Sequence, residues 1–171
     1  MQTYIEAVRE AVEKKLDKRF ANSSVQHAEV LIKAVIDDAK ESIYILTTDF
    51  YAGFFNAIKK TLIQFLKKDK SKIYIITSRS NKNMKEIEEL LKEHENKLEV
   101  KFIKDNEFPK NNETKENVNY VVNDNNSYRL EYSDKYLNQG IVEAIANFNN
   151  NSESNTLIKH FKQLPAIPFE K

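Results

Sequence analysis

Five polar side chains within one short stretch are the best candidates for chemistry in this chain. Residues 117–131 read NVNYVVNDNNSYRLE. Val118, Tyr120 and Val122 alternate with Asn119, Val121 and Asn123, the period of a strand. Asp124-Asn125-Asn126-Ser127 supplies turn residues that tolerate positive φ, and Tyr128-Arg129-Leu130-Glu131 resumes a second strand. The reading is a β-hairpin that gathers Asn117, Asn119, Asp124, Arg129 and Glu131. Two carboxylates, one guanidinium and two amides can build a hydrogen-bonded network, and such a network is satisfied only if all its members pair. It is then either a cleft that holds a ligand or a structural lock for the hairpin, with the lock preferred.

Other chemistries have little to work with. There is no cysteine, which removes thiolate nucleophiles, disulfides and thiolate zinc sites. The three histidines, His27, His94 and His160, show no His-x3-His spacing, so no metal site is expected. Glycine occurs only at Gly53 and Gly140, too sparsely for a phosphate-cradling loop, and no cofactor is expected. Thr47-Thr48-Asp49 and Thr77-Ser78-Arg79 follow apolar runs read as parallel strands, where α/β sheets place their sites, so Thr48 and Asp49 join the candidate binding residues. Lys67, Lys68, Lys70, Lys72, Arg79, Lys82 and Lys85 crowd one helix–strand–helix segment. Phosphates could be tracked there, with Lys67, Lys68, Lys70 and Lys82 as the contacts, but a solvated face beside Asp69 and Glu86 is preferred, and any nucleic-acid binding is expected to be weak.

The elements that must position these groups are legible from periodicity. Ile5, Val8, Val12, Leu16 and Phe20 mark an amphipathic helix over residues 2–20. Ser23 with Gln26 reads as a capping box opening a helix over residues 25–40, which buries Ala28, Leu31, Ile32, Val35 and Ala39. SIYILT (42–47) and KIYIIT (72–77) are short, β-branched and apolar, as doubly covered strands are; their likeness is read as shared strand composition. Helices are expected over 54–68 and 82–94, a third strand over 98–103, a polar loop over 104–116, and helices over 140–148 and 154–164. Strand–helix–strand spacing of this kind predicts right-handed parallel crossovers, hence an α/β fold with a mixed, mostly parallel sheet flanked by helices. Tyr44 and Tyr74 are expected in the core.

The 171 residues suffice for one full hydrophobic core. With 27 basic against 26 acidic residues the net charge is +1, unlike a strongly basic polyanion binder. No apolar run approaches the roughly 20 residues that span a bilayer, and the N-terminus lacks the apolar core of a signal peptide, so a soluble, cytoplasmic protein is expected.

The hairpin and the order of elements before it resemble the phospholipase D-like superfamily. Its signature is His-x-Lys-x4-Asp on a strand entering a tight turn. With Asp124 as the aspartate, Asn117 takes the histidine position and Asn119 the lysine position, and a following Gly-Ser pair falls near Glu131-Tyr132. HAEVLIKAVIDDAKESIYILTTDF is similar to the opening helix and strand of these domains, and NYVVNDNNSYRLE with AIANFNN and LIKHFKQL to the end of small bacterial members. The resemblance implies a domain over 23–171 preceded by an N-terminal helix within 1–22. It also implies a chemistry in which one histidine attacks phosphorus and a second protonates the leaving oxygen. Neither motif histidine nor lysine is present here, since Asn117 and Asn119 carry no nucleophile and no charge. His160-Phe161-Lys162 reproduces His-x-Lys, but Ile167 stands where the aspartate would be. The expectation is a degenerate domain acting as a binding, interaction or regulatory module, with a phosphodiesterase or nuclease using a rearranged site as the alternative. Single-motif members pair two-fold, so a homodimer is expected with the hairpins near the axis and the Asn117 and Asn119 amides pairing across it; a protein partner is also possible.

Overall fold

The structure, a computed structural model, describes residues 1–49, 54–133 and 143–169. In chain order the elements are α1 (Gln2–Glu13), β1 (Phe20–Asn22), α2 (Val25–Asp38), β2 (Ser42–Thr47), α3 (Phe54–Leu66), β3 (Lys72–Ser78), α4 (Met84–Glu93) and β4 (Leu98–Ile103). A 3-10 turn (Asp105–Glu107) follows, then β5 (Asn119–Asn123), β6 (Tyr128–Ser133), β7 (Glu143–Asn147), α5 (Asn151–Gln163) and β8 (Ile167–Pro168).

All eight strands form one sheet in the order β1-β7-β6-β5-β2-β3-β4-β8. The two crossovers through α3 and α4 make β2–β3 and β3–β4 parallel, as expected. Every other pairing is antiparallel: β1–β7, β2–β5, β4–β8, β5–β6 and β6–β7. The sheet is therefore mostly antiparallel, which corrects the expected parallel majority. Two strands account for much of the difference. Residues 143–147, read as helix, form β7 between β6 and β1. Phe20–Asn22, read as the end of the first helix, is β1. That helix stops at Glu13 because Lys15 turns to φ 50°. Phe20 is thereby carried into the core against Phe148, ring centroids 5.7 Å apart.

Strand alternation builds two apolar layers. Ile43, Ile45, Ile73, Ile75, Val100 and Val121 face α1 to α4, where Val8, Leu31, Val35, Ile58, Leu62, Ile87 and Leu90 cover them. Leu46, Ile76, Tyr120, Val122 and Tyr128 face α5 through Leu157 and Phe161. Tyr44 and Tyr74 lie on that second face, stacked at 5.0 Å, but only half-buried. The cap of α2 is Ser24, whose Oγ accepts from the His27 N–H at 3.2 Å, one residue later than the predicted cap at Ser23. The polar segment before the hairpin is held by a Lys110–Asn117 bridge, by the Val118 N–H donating to the Pro109 carbonyl at 2.9 Å and by Thr114 Oγ1 donating to the Tyr132 carbonyl at 3.1 Å. No described helix is long and apolar enough to cross a membrane.

Candidate functional site

Register pairing puts Asn119 opposite Glu131, at the end of the sheet where β2 finishes and β5 begins. Asn119, Val121 and Asn123 share one face of β5, and Arg129 and Glu131 share that face on β6. Asn119 is 8 % exposed and Arg129 3 %. The Asn119 Oδ1 accepts from the Thr48 N–H at 2.9 Å and from Thr48 Oγ1 at 3.3 Å, while its Nδ2 donates to Glu131 Oε1 at 3.2 Å. Glu131 Oε2 accepts from Arg129 Nη2 at 2.9 Å. Arg129 Nε then donates to Asn22 Oδ1 at 2.9 Å. One continuous chain of hydrogen bonds thus runs from the end of β2 through β5 and β6 to β1.

Asn22 lies two strands from Arg129, about 10 Å at ordinary strand spacing. The guanidinium can cross because the intervening strand presents only Ala144 and Ala146 to that face; these are the register partners of Glu131 and Arg129 on one side and of Asn22 and Phe20 on the other. Tyr4 of α1 lies near the Arg129 end, stacked on His27 at 3.9 Å and 16°. Burial pushes the Tyr4 phenol up, and the Arg129 charge pulls it the other way.

Asp124, expected in the same cluster, is not there. It sits at the far end of β5, five residues from Asn119 and so about 16 Å along the strand. There its carboxylate accepts the Lys40 and Glu41 N–H groups, each at 2.9 Å, and fixes the entry to β2. Asn117 lies just before β5, half-buried. Asp49 accepts the Lys82 N–H at 3.1 Å, tying the β2 end to the loop after β3. In that loop Asn81 donates to Thr77 Oγ1 at 2.8 Å, Ser78 and Ser80 both hydrogen-bond to Asp105, and Arg79 lies over the Phe102 ring. Within the chain the Asn119 Oδ1 accepts two hydrogen bonds and its Nδ2 donates one of its two N–H groups.

The seven cations adjacent in sequence separate in space. Lys67, Lys68, Lys70 and Lys72 flank the start of β3, and Arg79, Lys82 and Lys85 follow its end, seven residues or about 20 Å away. Lys68 is further committed to its own fold, donating to the Ala39 carbonyl at 2.9 Å and lying over the Phe65 ring.

The reading of sequence missed a second polar centre. Asp38, at the end of α2, accepts from Lys15 Nζ at 2.6 Å and 2.7 Å, Ser127 Oγ at 2.6 Å, Asn125 Nδ2 at 3.1 Å and Asn123 Nδ2 at 3.3 Å. It holds the hairpin turn, in which Asn126 takes φ 67°. One signal was available: Asp37 and Asp38 end a helix, where the macrodipole disfavours carboxylates unless something pairs with them.

No histidine joins either centre. His94 caps the end of α4 through its backbone. His160 Nδ1 lies 3.0 Å from Tyr120 Oη, which also donates to the Leu157 carbonyl at 3.3 Å. Burial pulls His160 below its ordinary 6.5 and pushes Tyr120 far up. As pH falls, the unfolded chain therefore takes up the His160 proton first, and stability drops from about pH 6.5 downwards until the folded-state value is passed. The thermal midpoint should fall over this window and fall less in His160→Gln, measured by calorimetry from about pH 7.5 to about pH 5. A steeper fall in the variant would contradict this. Among the described residues no group of three or more His, Asp or Glu is placed to hold a metal ion.

The two parallel pairings, the hairpin antiparallel to β2 and the long α2 over it give an arrangement found in solved structures. An archaeal chromatin protein, TrmBL2, described as showing a novel mode of DNA binding, superposes with a TM-score of 0.68 at 10 % identity, over 98 % of this chain and 60 % of that one. NucT from Helicobacter pylori gives 0.63 at 17 % identity over 89 % and 99 %. Phosphatidylserine synthase from Haemophilus influenzae Rd KW20 gives 0.61 at 9 % identity over 89 % and 39 %. The fold is phospholipase D-like. This chain thus spans about 60 % of the chromatin protein's length and nearly all of NucT's. No family model matches the sequence, and no curated protein matches it in sequence. Within this phospholipase D-like fold the Asn119–Glu131 contact lies on the strand pair to which the sequence resemblance assigns the motif.

Proposed function

We propose that this chain is a non-catalytic phospholipase D-like domain that serves as a binding or interaction module. One observation carries the reading. At the motif's lysine position stands Asn119, buried and bonded to Thr48 and Glu131, with Glu131 in turn neutralised by Arg129. Phosphoryl transfer needs a nucleophile, a proton donor and positive charge on the phosphoryl oxygens. In this network the single cation is already paired with a carboxylate of its own chain, and none of its members is the histidine that the motif's chemistry uses as nucleophile and proton donor. A rearranged active site would bring His27 or His160 to Asp124, but His27 stacks on Tyr4, His160 bonds to Tyr120, and Asp124 accepts two backbone N–H groups. Purified protein should therefore hydrolyse bis(p-nitrophenyl) phosphate, phosphatidylcholine and plasmid DNA no faster than a buffer blank. Turnover that follows the protein through purification and disappears in a folded Asn119→Ala variant would overturn the reading.

A further inference from the structure

We propose that the outer face of α3 is a docking surface for the phosphate backbone of a nucleic acid. Between Asp49 and Asp69 the sequence has four lysines and no carboxylate. Each of the other described helices carries at least one acid: Glu6, Glu10 and Glu13 on α1, Glu29, Asp37 and Asp38 on α2, Glu86, Glu88, Glu89 and Glu93 on α4, and Glu153 on α5. In a chain of net charge +1 this is a segregation of charge, not an overall bias.

Helix geometry places the cations together. Phe55, Ile58, Leu62 and Phe65 point into the core, which leaves Asn56, Lys59, Lys60, Ile63, Gln64 and Lys67 to line a shallow groove of about 330 Å³ along the outer face. Asn56, Lys60, Gln64 and Lys67 are exposed, and Lys59 and Ile63 are half-buried. Among the described residues Lys59, Lys60 and Lys67 enter no ion pair, a property they share with Lys82 and Lys85; they differ from those two in having no carboxylate on their helix, whereas α4 beside Lys82 and Lys85 carries Glu86, Glu88, Glu89 and Glu93. An unpaired lysine releases no partner on binding, so its full charge is available to a ligand.

The donor chemistry selects the partner. Ammonium and side-chain amide N–H groups are the donors that contact phosphate oxygens without reading sequence. From Lys59 to Lys67 the helix rises about 12 Å, a length over which a duplex presents several phosphates. The groove's apolar element is the half-buried Ile63, too little to insert into a bilayer and no anchor for a protein hot spot. With no aromatic side chain in the groove, bases have nothing to stack on, and binding is sequence-independent. The stripe shares no residue with the polar network, so the proposal stands whether or not that network is catalytically silent.

Fluorescence anisotropy with a labelled duplex of about 20 base pairs tests it, at about 50 mM and about 200 mM salt, using the full chain. The native chain should bind at the lower salt, with log K falling against log salt at a slope of about −3, as three phosphate contacts require. Lys60→Glu/Lys67→Glu should lose roughly 10-fold or more, Lys60→Arg/Lys67→Arg should retain binding, and Lys82→Glu/Lys85→Glu should match the native chain. Circular dichroism establishes that each variant is folded. Absence of binding at the lower salt overturns the proposal, as does an equal loss in both charge-reversed pairs. Binding of poly-glutamate or of anionic vesicles in place of the duplex overturns it too, in favour of an acidic protein or a membrane.

Discussion

Replacing Arg129 by methionine should cost about 3–5 kcal/mol of folding stability, the usual penalty for stranding one partner of a buried ion pair. Methionine keeps most of the side-chain volume between Ala144 and Ala146, so the loss reports on charge and hydrogen bonding more than on packing. Glu131 is left with Asn119 as its hydrogen-bond donor, in a position where the carboxylate side chain is only 12 % exposed. Asn22 Oδ1 loses its donor at the same time. A domain of this size has a total stability of about 5–15 kcal/mol, so the variant should unfold on the order of 10 °C earlier or fail to accumulate. The informative comparison is the double variant Arg129→Met/Glu131→Leu, which removes both charges. It should recover much of the loss, because the penalty lies in the orphaned carboxylate and not in the absence of the pair. Denaturant midpoints of the wild type, both single variants and the double variant complete the cycle. A loss under about 1 kcal/mol in Arg129→Met would mean that solvent screens the pair and that the network is not a lock.

Asp38→Ala should be the other severe substitution, at about 2–4 kcal/mol, because hydrogen bonds to a charged acceptor are worth more than neutral ones and several converge here. Ser127 Oγ loses its acceptor, and Asn125 Nδ2 keeps only the backbone carbonyl of residue 38. Asn123 falls back on the Val35 carbonyl at 2.8 Å. Lys15→Ala makes the contrast: its side chain is 36 % exposed against 6 % for Asp38, and the carboxylate it leaves behind still has Ser127, Asn123 and Asn125. That variant should cost about 1 kcal/mol or less. Urea titrations of the two variants decide the matter, and a Lys15→Ala loss as large as the Asp38→Ala loss would place the weight on the ion pair instead of the turn.

Much of this architecture is written in local pattern. Apolar residues three and four apart locate α2 to α4, runs of isoleucine and tyrosine locate β2 and β3, and Asp124-Asn125-Asn126-Ser127 locates the hairpin turn. Each of these is a segment whose own period decides which of its faces is buried, and a period can be read without knowing the neighbour. The same pattern grouped Asn119, Arg129 and Glu131 with Asn117 and Asp124 in the hairpin, and of these five the structure joins the first three.

What pattern alone misjudged depended on a partner distant in the chain. Glu143, Ala144 and Ala146 are good helix formers, yet they form β7, because the space beside Arg129 admits only small side chains and an antiparallel strand fills it with two alanines. Phe20 continues the apolar stripe of the first helix, yet the turn at Lys15 delivers it to the edge of the sheet as β1. Asp124 and Asn119 are five residues apart, which in a strand means opposite ends, so the expected single cluster divides into a network at one end and the Asp38 centre with Asp124 at the other. The basic segment divides for the same reason, being two ends of β3. Periodicity determined the faces of the elements; the choice of neighbours, and hence which polar groups meet, was decided by the volume and hydrogen-bonding demands of residues distant in the chain, 107 positions apart in the bond from Arg129 to Asn22.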